Sequence, residues 1–334
     1  MMNLIIHHWD TDGIASAVIL SKQLGESFSY FTPPPGNYFL SEYDREEIKK
    51  RRAEKIYLVD MSLPEDDLKF LNSISDFQVY DHHSGRLIED VKIKNPILLG
   101  AKSTEYPSCT TVLKEEFGLK EDILIWSGVW GDIGFKLKED DSIFVNLKNF
   151  LNENNIDFDD FKLFVSAVDY QYKTGDREKV YAVIDFLLKN SPLDILNKKE
   201  FTEVIKEVEK AKEEEFLKFT DYGKLTFLHT KSPYYIISDL CRMKYKETPE
   251  KYNVVIGERE HFFNFYLRTI SEDLSPLVKR VKEAGYFGGG KTDVLGVVIE
   301  RENFSEFLDF INDFFIEREI NLKDICKEHN IFFQ

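Results

Sequence analysis

Short apolar runs alternate with helix-like stretches along the first part of the chain. The runs have the length of buried strands and cover residues 4–6, 29–31, 56–59 and 77–80. Between them, residues 13–24, 41–55 and 63–73 place apolar side chains at helical spacing. This alternation predicts βαβ crossovers and an α/β fold built on a parallel sheet.

A second α/β pattern follows a helical stretch. Residues 123–168 are predicted to be largely helical, and residues 197–222 are predicted to form a long charged helix that ends at Gly223. Beyond it, strands are expected at residues 225–229, 254–256, 262–267 and 294–299. Helices are expected at residues 275–284 and 303–317.

The length of 334 residues is about twice the usual domain length of roughly 150. We therefore expect a catalytic domain at residues 1–190, a helical linker at 191–222, and a smaller C-terminal α/β domain at 223–334 with a glycine-rich loop. Apolar residues make up 43% of the chain and charged residues 31%, which is a globular composition and not a disordered one.

Two features bear on the compartment. No apolar run approaches the roughly 18 residues of a membrane helix, and the chain does not begin with a secretory signal pattern, so we expect a cytoplasmic protein with no membrane partner. The cysteines Cys109, Cys241 and Cys326 lie far apart without CxxC spacing, which predicts neither a disulfide framework nor a zinc ribbon.

The charge is strongly negative and uneven. A net charge of −16 argues against binding of duplex nucleic acid through a broad basic surface. Residues 223–291, however, carry 12 basic and 8 acidic side chains. An anionic ligand is therefore expected to contact this segment or bound metal ions.

Acidic and histidine side chains cluster where predicted strands and helices end. The clusters are His7-His8-Trp9-Asp10-Thr11-Asp12-Gly13, Val59-Asp60, Asp81-His82-His83 and Gly131-Asp132-Ile133-Gly134. Residues that follow parallel strands meet at one edge of the sheet, so these side chains are expected to converge. Carboxylates so close together repel one another and need cations, and oxygen donors mixed with imidazole suit Mn²⁺ or Mg²⁺. A pair of such ions can position a hydroxide for attack on a phosphoryl group.

At these motifs the chain resembles the DHH phosphoesterase family, which is named after the motif that stands here as Asp81-His82-His83. The match extends to three further motifs, which read His8-Trp9-Asp10-Thr11-Asp12-Gly13, Leu58-Val59-Asp60 and Gly131-Asp132-Ile133. The H-x-D-x-D-G form of the first motif favours His8 over its neighbour His7.

The resemblance implies a site for two divalent cations, with Mn²⁺ favoured and Mg²⁺ as the alternative. The implied ligands are His8, Asp10 and Asp60 for one ion, and Asp12, Asp60, His82 and Asp132 for the other, with Asp60 bridging. Catalytic roles are implied for Asp81, which would orient His82 by engaging its second nitrogen, and for His83, which would face the substrate phosphate.

The later segment resembles the DHH-associated C-terminal domain of RecJ exonucleases, nanoRNases and related cyclic-dinucleotide hydrolases. The resemblance is carried by Tyr266-Leu267-Arg268, by the helix at 275–284 and by Tyr286-Phe287-Gly288-Gly289-Gly290-Lys291. It implies that Arg268, Gly288, Gly289, Gly290 and Lys291 grip a substrate phosphate or chain end. The family usually has histidine where Lys291 stands, so the base contacts and the substrate preference are open.

These features together predict a metal-dependent phosphodiesterase. The expected activity is that of a RecJ-like exonuclease that hydrolyses single-stranded RNA or DNA ends or short oligonucleotides by two-metal-activated water. Hydrolysis of a cyclic dinucleotide or a 3′-phosphorylated nucleotide is the alternative, and a family II pyrophosphatase is disfavoured because its basic serine-arginine-lysine cluster is missing. A third hypothesis is a non-catalytic partner of a helicase or replication factor.

Overall fold

The computed structural model describes residues 2–331, and these divide into two compact units. The first unit runs to Lys206 and the second begins at Glu207. Each unit contains one β-sheet covered by helices. No helix within residues 2–331 is long and apolar enough to cross a membrane.

The first unit is built on a five-stranded sheet in which all paired strands are parallel, as the apolar runs predict. Its strands follow the spatial order β2-β1-β3-β4-β5. Their bounds are β1 Asn3–His7, β2 Phe28–Phe31, β3 Lys55–Val59, β4 Asp76–Tyr80 and β5 Lys92–Lys94. His7 pairs with Val59, and Val59 pairs with Tyr80, so the central strands end level with one another.

Helices cover both faces of this sheet because successive side chains of a strand point to opposite sides. Ile5 packs into one apolar core, while Leu4 and Ile6 pack into the other. The helices of the first unit are α1 Thr11–Leu24, α2 Glu42–Arg51, α3 Glu65–Ile74, α4 Cys109–Phe117, α5 Ile123–Ile133, α6 Ser142–Glu153, α7 Phe158–Lys173 and α8 Arg177–Lys189. Short 3₁₀ helices lie at Ile97–Leu99, Gly134–Lys136 and Pro192–Asn197.

The strand order creates a crevice at the carboxyl ends of β1 and β3. From β1 the chain runs through α1 to β2 on one side, and it then returns through α2 to β3 on the other side of β1. In open α/β sheets, ligands bind where neighbouring connections diverge in this way. The topology therefore places the residues that follow β1 and β3 at the expected ligand position.

The second unit contains a six-stranded mixed sheet in the order β10-β11-β9-β8-β7-β6. Only the pair β7 and β8 is parallel among its described strands. The strands are β6 Thr220–Asp221, β7 Leu225–Thr230, β8 Tyr252–Glu258, β9 Phe262–Arg268, β10 Phe287–Lys291 and β11 Val294–Glu300. Helix α9, Lys199–Phe216, crosses the unit boundary, and the remaining helices are α10 Ile237–Glu247, α11 Ser275–Glu283, α12 Phe304–Ile316 and α13 Leu322–Glu328.

Two predicted elements differ in the structure. The charged helix ends at Phe216 and not at Gly223, which has a positive φ of 77° in the turn that joins β6 to β7. The glycine run is a paired strand, β10, and not a loop. A Cβ atom at Gly290 would lie 2.0 Å from the Val294 carbonyl oxygen and 2.8 Å from Val278 Cγ2, so glycine permits close packing of β10. Helices α8, α10 and α13 and strands β5 and β6 had no predicted counterpart.

Candidate metal centre

Three candidate ligands lie in the short turn that joins β1 to α1 and in the first turn of that helix. Asp10 caps α1, because its Oδ1 accepts a hydrogen bond from the Gly13 amide at 3.1 Å. A Cβ atom at Gly13 would lie 2.3 Å from the His8 carbonyl oxygen, so glycine is required for the turn to close. The tight turn keeps His8, Asp10 and Asp12 at the carboxyl edge of the sheet. His7, by contrast, is fully buried, and its Nδ1 contacts the His8 carbonyl oxygen at 2.7 Å.

The carboxylate of Asp12 is held by the first amides of helix α4. Its Oδ2 accepts from the Cys109 amide at 2.6 Å and its Oδ1 from the Thr110 amide at 3.1 Å. Ser108 caps this helix by accepting a hydrogen bond from the Thr111 amide. The partial positive charge at a helix N-terminus favours an anion there. Asp12 is therefore fixed in position although it is completely buried.

Asp60 occupies the centre of the cluster. It follows β3 directly, its backbone is left-handed with φ 58°, and it is 1% exposed. Its Oδ2 lies 3.8 Å from His8 Nδ1, and its Oδ1 lies 3.3 Å from His82 Nε2. Within residues 2–331 neither carboxylate oxygen has a hydrogen-bond partner.

His82 joins Asp60 to the other acidic residues. Its Nε2 lies 3.1 Å from Asp132 Oδ2 and 3.7 Å from Asp12 Oδ2. Its other ring nitrogen, Nδ1, faces the Tyr106 carbonyl oxygen at 3.3 Å. The imidazole is thus oriented by a backbone carbonyl.

The expectation that Asp81 orients His82 is wrong in this structure. Asp81 Oδ1 instead contacts Nδ1 of His83 at 2.7 Å. The Asp81 amide donates to the Lys94 carbonyl oxygen and so continues the pairing of β4 with β5 by one residue. The Asp81 side chain reaches the second histidine of the motif. The side chain of His83 is 44% exposed and lies at the open rim of the cluster.

The structure brings all six sequence-predicted metal residues and His83 together. In three groups, one donor atom from each residue lies within 4.8 Å of the others. The groups are His8, Asp10 and Asp60; Asp12, His82 and Asp132; and Asp60, His82 and His83. Asp60 and His82 each belong to two groups, so they connect the cluster.

The electrostatics of the cluster favour added positive charge. Burial, followed by the charges of Asp12, Asp10 and Asp132, raises the pKa of Asp60 well above its usual range. Burial and the charge of Asp132 raise the pKa of Asp12 to about 6. Burial alone would lower the pKa of His82, but its contacts with Asp132 and Asp12 raise it to about 9.

Buried polar atoms without partners show that the donor set fits divalent cations. In the part of the chain that the structure describes, the atoms that lack a well-oriented hydrogen bond include both oxygens of Asp60, both ring nitrogens of His8 and Nε2 of His82. Two of these nitrogens have ionic contacts only, since His8 Nδ1 lies 2.7 Å from Asp10 Oδ2 and His82 Nε2 lies 3.1 Å from Asp132 Oδ2. A buried polar atom without a partner costs about 1–3 kcal/mol. Carboxylate oxygens and imidazole nitrogens that face one another suit Mn²⁺ or Mg²⁺. No thiolate belongs to the three described groups; the Cys109 thiol donates to the Tyr80 carbonyl oxygen instead.

The predicted substrate-binding residues lie in the second unit. Arg268 ends β9 and is buried, and its Nη1 pairs with Asp293 Oδ2 at 3.1 Å. Its guanidinium also lies 5.9 Å from the rings of Tyr245 and Tyr266. Gly288, Gly289, Gly290 and Lys291 form β10 beside β11, and Lys291 is exposed. Arg268 thus already has an acidic partner, which the sequence did not indicate.

Sequence reasoning missed several groups that shape the centre. The Tyr106 carbonyl and the amides of Cys109 and Thr110 are backbone groups and leave no signal in the sequence. Gly128 was also missed, although a Cβ atom there would lie 2.4 Å from Asp12 Oδ1. Tyr38 was missed too. Its signal in the sequence is an aromatic residue that follows the proline-rich turn after a predicted strand.

Comparisons with known proteins show the fold of the chain. No protein-family model matches the sequence, and no curated protein matches it. A crystal structure of exonuclease RecJ bound to manganese has a TM-score of 0.65 and 14% identity over 97% of this chain and 93% of RecJ. The pGpG-specific phosphodiesterase PggH from Vibrio cholerae has a TM-score of 0.51 and 13% identity over 93% of this chain and 97% of PggH.

A third similar structure is CDC45 from Entamoeba histolytica. It has a TM-score of 0.52 and 11% identity over 92% of this chain and 93% of CDC45. The protein therefore has the two-domain α/β fold seen in RecJ, and at these identities the similarity concerns the fold alone.

Proposed function

We propose that the protein is a metal-dependent phosphodiesterase, and specifically a RecJ-like exonuclease that hydrolyses single-stranded RNA or DNA ends or short oligonucleotides. The observation that carries this proposal is the buried carboxylate of Asp60, whose two oxygens have no hydrogen-bond partner among residues 2–331 and face His8 on one side and His82 on the other. A metal-clamping role explains this arrangement, which would otherwise be unfavourable.

The cluster divides naturally between two cations. His8, Asp10 and Asp60 would hold one ion, and Asp12, Asp60, His82 and Asp132 would hold the other, with Mn²⁺ favoured over Mg²⁺. Such a pair supplies an activated water and offsets the charge that develops on phosphoryl oxygens. This assignment needs no residue outside the described cluster.

The protein's own groups keep the ligands in position. The Tyr106 carbonyl accepts the Nδ1 proton of His82, which leaves Nε2 as the ligating atom. The α4 amides hold both oxygens of Asp12 and prevent it from rotating. Asp81 orients the exposed ring of His83, and we assign His83 to contact with the substrate phosphate.

The substrate assignment is supported by both units. Residues 223–291 are net basic, and we propose that Arg268, Gly288, Gly289, Gly290 and Lys291 bind a phosphate or chain end. RecJ, an exonuclease, shares the fold over nearly the whole chain, which supports hydrolysis from the end of a linear strand. The alternative substrate is a cyclic dinucleotide or a 3′-phosphonucleotide, and the likeness to the pGpG-specific phosphodiesterase PggH supports a small nucleotide substrate of this general kind. The CDC45 likeness supports a role as a partner of a helicase or replication factor.

The decisive experiment compares wild type with Asp60→Asn and with Asp66→Asn, an exposed carboxylate on α3 that serves as the matched control. Each is incubated with end-labelled RNA and DNA strands of about 3 and 20 nucleotides, with pGpG and with a cyclic dinucleotide, in Mn²⁺ or in chelator. We expect stepwise shortening of linear strands by wild type and Asp66→Asn in Mn²⁺, and loss of at least about a hundredfold in rate for Asp60→Asn.

The remaining outcomes separate the other candidates. Cleavage confined to the shortest strands, pGpG or the cyclic compound would replace the exonuclease by an enzyme of nucleotide turnover. Equal inactivity of wild type and Asp60→Asn on every substrate would contradict catalysis and leave the non-catalytic partner as the favoured function.

A further inference from the structure

Tyr38 is an exposed aromatic residue beside the candidate metal centre. The residue is 55% exposed, and its ring centroid lies 5.7 Å from the ring of His8 and 5.2 Å from that of Trp9. Trp9 is buried and lies 4.2 Å from His8. These three rings form one aromatic group, and Tyr38 is its solvent-facing member.

The loop that carries Tyr38 is fixed at its first end. It leaves β2, the neighbour of β1, at the same edge of the sheet as the metal cluster. The Thr32 amide donates to the Tyr181 hydroxyl at 3.2 Å, and the Thr32 carbonyl oxygen accepts from Arg177 Nη1 at 3.2 Å. Three successive prolines, residues 33–35, then restrict the backbone.

The second end of the loop is fixed as well. The Asn37 amide donates to the Pro34 carbonyl oxygen at 3.0 Å and closes a turn directly before Tyr38. Two residues later, the amide of the buried Leu40 donates to Asp67 Oδ2 at 2.9 Å. A ring held in this way loses little conformational entropy when it binds a ligand.

The chemistry of such a ring fits a planar ligand attached to a phosphate. An exposed aromatic ring provides an apolar, polarisable face on which any nucleobase can stack. Tyr38 is the exposed ring that adjoins His8, so a phosphodiester held by ligands that include His8 would have its adjoining base close to Tyr38. Tyr43 on α2 is also exposed, at 72%, but it has no ring contact within the described residues, so it lacks this placement.

We infer that Tyr38 is the stacking platform for the nucleobase next to the scissile phosphate, which makes the site selective for nucleotides over base-free phosphodiesters. The choice of a nucleobase as the bound group rests on the proposed function. The inference is carried by the exposed aromatic face of Tyr38, by the fixed loop that holds it and by its ring contact with His8, a candidate metal ligand.

A binding experiment tests this inference without hydrolysis. Fluorescence anisotropy in Ca²⁺ would give the Kd of two labelled probes. One is a trinucleotide, and the other is a trimer in which abasic sugars replace the nucleosides. Electrophoresis verifies that both probes stay intact. The proteins compared are wild type, Tyr38→Ala, Tyr38→Phe and Tyr43→Ala.

We expect wild type to bind the trinucleotide more tightly than the abasic trimer. Tyr38→Ala should weaken trinucleotide binding roughly tenfold and leave abasic binding unchanged, since stacking on one aromatic ring is lost. Tyr38→Phe should stay within about twofold of wild type, because the stacking face is retained, and Tyr43→Ala should match wild type. Equal effects of Tyr38→Ala on both probes, or no preference of wild type for bases, would overturn the inference.

A kinetic arm separates this inference from the proposed function. In Mn²⁺, Tyr38→Ala should raise KM for the trinucleotide and leave kcat within about twofold, because the ring binds substrate and transition state alike. Base-dependent binding without hydrolysis by wild type would contradict the proposed function and support the platform. Hydrolysis with unchanged KM in Tyr38→Ala would support the function and overturn the platform.

Discussion

Asp60 combines two local features that each cost stability. A non-glycine residue in the left-handed region, here with φ 58°, is uncommon, and strain of this kind costs on the order of 1–3 kcal/mol. The buried carboxylate also has no hydrogen-bond partner among residues 2–331. The left-handed backbone places Asp60 between His8 and His82. Both unfavourable features therefore result from the position that Asp60 needs as a ligand shared by two ions.

We expect Asp60→Asn to stabilise the metal-free protein and to abolish its stabilisation by Mn²⁺. Asparagine tolerates a left-handed backbone and matches the shape of the protonated carboxyl, but it removes the ionisable group whose burial, followed by repulsion from neighbouring acids, raises the pKa of Asp60. The free energy of unfolding in chelator should rise by on the order of 1 kcal/mol or more at pH 8, measured by urea titration. Asp66→Asn removes an acid from the first turn of α3, so it should lower the stability in chelator by less than about 1 kcal/mol and leave the stabilisation by Mn²⁺ unchanged. A less stable Asp60→Asn protein in chelator would show that burial and the neighbouring acids do not disfavour the charged carboxylate.

At the scale of elements, three helices converge on Asp12. The side chain starts from the first turn of α1, its oxygens lie on the amides of α4, and Gly128 lets α5 approach within contact of the same carboxylate. Asp132 then projects from the last turn of α5 towards His82. The ligand geometry is thus set by the packing of helices, which makes it rigid before any ligand binds.

The strand β10 offers a matched pair of glycines that tests its packing. Gly290→Ala should lower the stability of the second unit by about 1–3 kcal/mol, because the added methyl group would meet the Val294 carbonyl oxygen and Val278. Gly289→Ala has open space and no positive φ, so it should be neutral or slightly stabilising. Thermal unfolding of the two variants checks this difference, and equal stability would indicate a flexible loop in place of a packed strand.

At the scale of the molecule, the predictable features are those that local sequence encodes. The parallel strands and their terminal acids were predictable because apolar runs and the residues after them are contiguous. The partners of Asp12 were not, since Cys109 and Thr110 lie 97 and 98 positions away and contribute only backbone amides. The strand at Gly288–Gly290 was hidden because glycine has low strand propensity, and its pairing depends on the close approach of β11 and α11.

The last prediction concerns the linkage between protons, metal and stability of the whole chain. Asp12, Asp60 and His82 each have a folded pKa above the usual value, so the stability that they contribute is present at low pH and is lost as pH rises, for Asp12 through about 6 and for His82 through about 9. Cations compete with these protons for the same atoms, so metal binding strengthens as the protons leave.

The rise in Tm caused by Mn²⁺, relative to chelator, should therefore be larger at pH 8.5 than at pH 6.5. The Tm in chelator is subtracted from the Tm in Mn²⁺ at each pH, which cancels the contribution of groups that titrate independently of the metal. Asp66→Asn should reproduce the wild-type trend. Because each unit has its own apolar core, calorimetry should assign this rise to the transition of the first unit, which contains the whole cluster. A shift that is independent of pH would mean that the cations bind away from the protonated carboxylates, and the ligand assignment would have to be abandoned.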